Sequence, residues 1–273
     1  MKRPVATVLV NTALIAGAIA TAFPLLWMLS VSFMPSGAAS SFPPPLLPRA
    51  PTLDNYRQMF ADNAAGLYML NSALVATAVT AISLLFNTLA GYAFAKLRFK
   101  GREQIFRALL GALVIPAQVA MIPLFALVKQ LGLVSTYGGV IVPGMATVFG
   151  IFLVRQYALS IPDELLEAAR MDGASEMRIF RSIVVPLLQP ILVTLAILTF
   201  LATWNDFMWP LIVLTQQKLY TLPVALASLS REHVQDNELM MAGAVITVVP
   251  VLVLFLAMQR YYIAGILAGS IKG

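Results

Sequence analysis

Residues 68–94 read YMLNSALVATAVTAISLLFNTLAGYAF, 27 consecutive positions without one Asp, Glu, Lys or Arg. A helix crosses the hydrocarbon core of a bilayer with about 20 mostly apolar residues. Barrel strands are far shorter and alternate in polarity, so the stretch reads as a membrane-spanning helix. Comparable runs lie at approximately 7–33, 107–128, 137–157, 187–213 and 239–259. Only 187–213 holds an acid in its interior, Asp206. The pattern predicts an all-α integral membrane protein with six transmembrane helices, and one membrane domain over 1–273.

Composition agrees. Of 273 residues, 60% are hydrophobic and 11% charged, against about a quarter charged in soluble domains. With no cysteine and a single histidine, His233, the chain cannot build a disulfide, a thiolate metal site, a histidine metal cluster or a histidine-paired hydrolase. No catalytic or metal-binding residues are expected. Glycine-lysine-serine/threonine phosphate loops are absent, so the chain should not hydrolyse ATP itself.

The net charge of +6 invites a nucleic-acid reading, but the charges are sorted by side. With the N-terminus inside, Lys2, Arg3, Lys96, Arg98, Lys100, Arg102, Arg107, Arg155, Arg170, Arg178, Arg181, Arg260 and Lys272 share one face, 13 of the 18 basic residues. Retention of positive charge in the cytoplasm then predicts both termini inside and makes lipid, not nucleic acid, the partner. The first run follows Lys2 and Arg3 as a signal peptide would, but it is too long and is read as a retained helix.

Between spans, residues 34–67 are proline-rich and external, with a short helix expected over 52–57 capped by Thr52. Pro116, Pro123 and Pro143 fall inside spans, where kinks serve a moving channel and a static bundle alike. The external loop 215–238 carries mixed charge and a solvated His233. Asn205 and Asp206 are the candidates for a translocation pathway. Asp206 reads either as an acceptor for a substrate hydroxyl or, more commonly, as a polar anchor between helices or at the membrane edge. Trp204 and Trp209 fit an interfacial belt, and stacking on a ligand is the alternative.

The cytoplasmic loop 158–186 is the most informative segment. Residues 160–186 read SIPDELLEAARMDGASEMRIFRSIVVP. Pro162 suits a first helical position, with Asp163 and Glu164 in the dipole-favoured first turn. Gly173 is a natural left-handed stop, and Ser175 caps a second short helix. Leu165, Ala168, Ala169 and Asp172 are expected on one face, a small-residue crest flanked by Glu167 and Arg170 that fits a groove on another protein. An amphipathic helix lying on lipid is the blander reading.

Glu167-Ala168-Ala169, then Gly173, nine residues, and Ile183-Val184-Val185-Pro186 resembles the EAA signature of binding-protein-dependent ABC importer permeases. Val185 stands where the family usually has leucine. Asn71-Ser72, Gly91-Tyr92-Ala93-Phe94-Ala95, the stretch Trp204–Pro210, Gln259-Arg260-Tyr261 and the ending Ala268–Gly273 resemble its carbohydrate branch, in particular the smaller permease of maltose-type transporters.

The resemblance implies a type I ABC importer permease fold in a prokaryotic plasma (inner) membrane. It implies a second homologous permease, an ABC ATPase dimer that uses ATP and Mg, and an extracytoplasmic sugar-binding protein as partners, with no cofactor bound by this chain. It assigns ATPase coupling to Glu167, Ala168, Ala169, Arg170, Asp172 and Gly173. It extends ATPase contact to the tail Ser270, Ile271, Lys272 and Gly273, and places the 215–238 loop at the binding protein. An amino-acid, peptide or glycerol phosphate permease of the same superfamily is the nearest alternative. An ion-coupled transporter would want charged midplane sites and inverted repeats that are not seen.

Overall fold

The computed structural model describes residues 4–232 and 236–270. All described regular elements are helical. α1 (Pro4–Val31) and the short α2 (Asp54–Ala61) precede α3 (Ala65–Lys96), α4 (Arg102–Ala112) and α5 (Ala117–Gln130). Then come α6 (Tyr137–Ile141), α7 (Val148–Ala158), α8 (Asp163–Met171) and α9 (Glu176–Ile179). α10 (Val185–Trp204), α11 (Met208–Val213), α12 (Leu222–Glu232) and α13 (Asn237–Ser270) complete the chain. Among the described residues, five helical stretches are long and apolar enough to cross a membrane, and a sixth is counted if α4 and α5 form one broken span.

That pair departs from the continuous span expected over 107–128. α4 and α5 meet at 106°. Pro116 has no N–H to donate and disfavours helical backbone at Ile115, so the helix stops and restarts at Ala117. The run 187–213 is likewise divided. α10 ends at Trp204, and Asp206 Oδ1 accepts the Trp209 N–H at 3.4 Å across the break before α11. Asp and Asn side chains compete for backbone in this way, which favours caps over helix interiors. The region 215–238 is not an open loop, since α12 occupies much of it.

The chain divides into two compact units. In the unit of residues 1–69 and 222–252, α2 is tied to the end of α1. Buried Asn55 donates from Nδ2 to Ser32 O at 2.9 Å and Met34 O at 2.8 Å. Thr52, read as the cap of this helix, lies one position too early; Leu53 is the capping residue and Thr52 Oγ1 accepts the Asp54 N–H instead. Glu238, fully buried at the start of α13, accepts the Ala39 N–H at 2.6 Å. α1 leaves Val8, Leu14, Ile15, Ile19 and Leu26 exposed, a surface stable only against lipid or another apolar chain.

In the unit of residues 70–221 and 253–273, α3 runs through three buried clusters. Tyr92 and Ala95 pack with Val154, Leu166, Ile179 and Leu188. Phe94 packs with Phe106 and Ile151. Val75 and Val79 pack with Val140, Trp209 and Val213. A bilayer requires backbone groups freed at a helix break to find partners inside the protein. Where the span 137–158 is interrupted between Gly144 and Val148, Asn87 Oδ1 accepts the Thr147 N–H at 2.9 Å, and Asn87 Nδ2 donates to Ser83 Oγ at 2.8 Å.

α3 and α7 cross at Gly91, where an added Cβ would lie 2.6 Å from Val154 Cγ1. Gly91→Ala should therefore destabilise the protein by about 1–3 kcal/mol through overpacking, read as a lowered melting temperature in detergent.

Candidate functional site

α8 and α9 form the segment singled out by the sequence. Pro162 precedes α8, with Asp163 and Glu164 in its first turn. The helix closes as expected at Gly173, whose φ of +79° places it in the left-handed region. The Gly173 N–H donates to Arg170 O and the Ala174 N–H to Ala169 O, both at 3.0 Å. This paired closure satisfies carbonyls that a helix end otherwise leaves free. Ser175 Oγ then accepts the Arg178 N–H, starting α9.

α9 is not a separate short helix. It passes through a wide turn over Phe180–Val184 into α10, where Val185 N–H reaches back to Phe180 O. Residues Glu176–Trp204 thus form one helical run. The widened turn directly precedes Pro186, whose ring crowds a regular turn and offers no N–H.

The face of α8 differs from expectation in one residue. Leu166 is buried, and Ala169 turns with it toward the chain's own core. Leu165, Glu167, Ala168 and Asp172 are exposed, as are Arg170 and Gly173. Met171 is 88% exposed, an apolar side chain beside the crest that sequence reasoning passed over. Glu167 makes no hydrogen bond or ion pair among the described residues.

Two grips hold this helix to α3, and neither was anticipated. Lys96 Nζ donates to Ile161 O at 2.6 Å and Asp163 Oδ1 at 2.7 Å, with only 5% of its side chain exposed. Tyr92 Oη donates to Glu176 Oε2 at 2.9 Å. Arg170 Nε donates to Glu176 Oε1 at 2.6 Å, closing the α8–α9 turn. The hydrogen bond and charge of Lys96 hold the Asp163 carboxyl below its ordinary value, and the Glu176 hydrogen bond raises the Arg170 guanidinium above its own. Because the Asp163 value is depressed, its contribution is complete above about pH 3.8 and lost only as pH falls through the lower folded value.

Elsewhere, Asn205 is exposed with Nδ2 on Leu201 O at 2.8 Å, and Asp206 accepts the Trp209 N–H at the break before α11. Trp204 and Trp209 are buried within the chain. Trp209 Nε1 donates to Gly139 O at 3.1 Å, and Trp204 stacks on Phe200. Ser270 ends α13, while Ile271, Lys272, Gly273 and His233 lie outside the described residues.

Residues 87–267 match the family described as binding-protein-dependent transport system inner membrane component. The chain belongs to this family. It is the multi-pass inner-membrane permease of an ABC transporter that works with an ATPase and a binding protein. The permease is 42% identical over 260 residues to the arabinooligosaccharides transport system permease protein AraQ of Halalkalibacterium halodurans, covering 92% of this chain and 91% of that one. It is 33% identical to the sn-glycerol-3-phosphate transport system permease protein UgpE of Salmonella typhi, over 95% of each chain. Its fold matches a chain of the crystal structure of a bacterial ABC transporter involved in import of the acidic polysaccharide alginate. The TM-score is 0.84 and the identity 25%, over 96% of this permease and 99% of that chain.

Gly173→Ala in the permease should cost about 1–2 kcal/mol at the α8–α9 turn, seen as faster amide exchange over residues 163–179 with the spans unaffected.

Proposed function

We propose that the chain forms half of the translocation pathway of a sugar importer, and that α8 is the helix through which its ATPase drives it. The observation that carries this is the geometry of α8: a rigidly held helix with an unengaged carboxylate, Glu167, and a low exposed surface at Ala168. Glu167, Arg170 and Asp172 supply polar contacts to the ATPase. Leu165, Ala168 and Met171 supply the apolar ones, and Ala169 and Gly173 set the shape. The tail Ser270–Gly273 adds a second contact with the ATPase pair.

In this reading both termini and α8 face the cytoplasm. A second, homologous permease completes the pathway, and the binding protein delivers sugar from outside. ATP and Mg are used by the ATPase, and this chain binds no cofactor. ATP-driven closure moves α8, and the spans switch between inward-open and outward-open. The ATPase must bind α8 differently in its two states, because a partner with equal affinity for both shifts nothing. Asn205 and Asp206, at the break between α10 and α11, border the pathway.

The relatives named for arabinooligosaccharides and lactose support an oligosaccharide as cargo. The relative named for glycerol phosphate carries the second reading, a phosphate-bearing polyol. Uptake of labelled arabinooligosaccharide by cells holding the full transporter, with glycerol 3-phosphate as competitor, separates the two.

Glu167→Lys should abolish uptake and release the ATPase from the purified complex while the permease still inserts. Normal uptake with normal ATPase retention would defeat the coupling role.

A further inference from the structure

Polar side chains of α3 bond other elements at its two ends and at one interruption between them. Toward the α8 end, Tyr92 and Lys96 grip Glu176, Ile161 and Asp163. At the opposite end, buried Asn71 donates from Nδ2 to Lys218 O at 3.0 Å and Tyr220 O at 2.9 Å, and its Oδ1 accepts from Tyr137 Oη at 2.6 Å. Asn71 and Lys96 are 25 residues apart in one unbroken helix, about 37 Å along its axis.

Of the four longest described helices, α3 alone lacks a proline; α1 has Pro24, α10 has Pro190 and α13 has Pro250. Prolines are where helices bend, so α10, although covalently continuous with α9, is the softer connection. α3 is the stiff one, and it packs into three buried clusters of its unit.

We infer that α3 is the rod that carries movement of α8 to the opposite face of the membrane, delivering it to the turn Gln217–Leu219 through Asn71. The inference rests on the coupling reading of α8. It adds a route and its terminal residues: Tyr92 and Lys96 as positioning residues at the inner end, Asn71 at the outer.

The chain has no cysteine, and Gln217 is exposed. A Gln217→Cys variant labelled with an environment-sensitive fluorophore, assembled with its second permease, ATPase and binding protein, reports on the turn when ATP is added. The parent should respond to ATP. Tyr92→Phe combined with Lys96→Met should reduce the response roughly threefold or more, with the ATPase still bound. Asn71→Ala should reduce it equally, and joining the two changes should reduce it no further, because both interrupt one route. Lys96→Arg, which keeps a donor, should retain it.

An undiminished response in the inner and outer variants overturns the rod, as do losses that multiply when combined. If a variant loses its ATPase, the Lys96→Arg response decides: loss there too places Lys96 in assembly and overturns the rod. A parent that ignores ATP, or fails to retain the ATPase, overturns the coupling reading and this inference together.

Discussion

One carboxylate joins three elements of this permease. Glu176 opens the helical run that becomes α10, receives the Tyr92 hydroxyl from α3 and is clasped by Arg170 of α8. Without it, α8 would be held to α3 only by Lys96 and by the burial of Leu166. With it, and with Lys96 at the other end of α8, the helix becomes a rigid part of the membrane domain. The coupling role proposed for α8 needs a helix that is stiff relative to the part it moves, and these grips supply that stiffness. The pairs involving exposed Asp163 and Arg170 contribute little to global stability. Their effect is to fix an orientation.

The bilayer imposes the remaining constraint. Interrupted helices are tolerated only where freed backbone groups find partners inside the protein. Asn87 meets this need at Thr147, and Asp206 at Trp209. The bend between α4 and α5 and the break before α11 are positions where the chain departs from straight spans with the help of proline, Asn and Asp. The largely exposed apolar surface of α1 is consistent with lipid or a second permease as its neighbour.

The spans were legible because lipid excludes charge, and absence of charge over 20 or more residues is a strong signal. The α8–Gly173–Ser175 segment was legible because its proline, leading acids, glycine and serine each act locally. What escaped was tertiary. Tyr92 and Glu176 are 84 residues apart, and Lys96 and Asp163 are 67 apart; nothing local announces either pair. Ala169 faces inward because Leu166 sets the buried edge of α8, which a crest drawn through Leu165 did not anticipate. α12 is not legible in 215–238, because the mixed charge there masks the apolar face of Leu222, Ala225 and Leu229. The burial of the tryptophans near α11 is tertiary too, since the Trp209 Nε1–Gly139 O hydrogen bond joins residues 70 apart.

The coupling role proposed for α8 requires that it face the cytoplasm and be covered there by the ATPase. A Met171→Cys variant of this cysteine-free chain, treated with a membrane-impermeant thiol reagent in right-side-out and inside-out vesicles, addresses both at once. Labelling only in inside-out vesicles, and blocked when the ATPase is bound, is the predicted result. Labelling from the external side, or labelling indifferent to the bound ATPase, would contradict it.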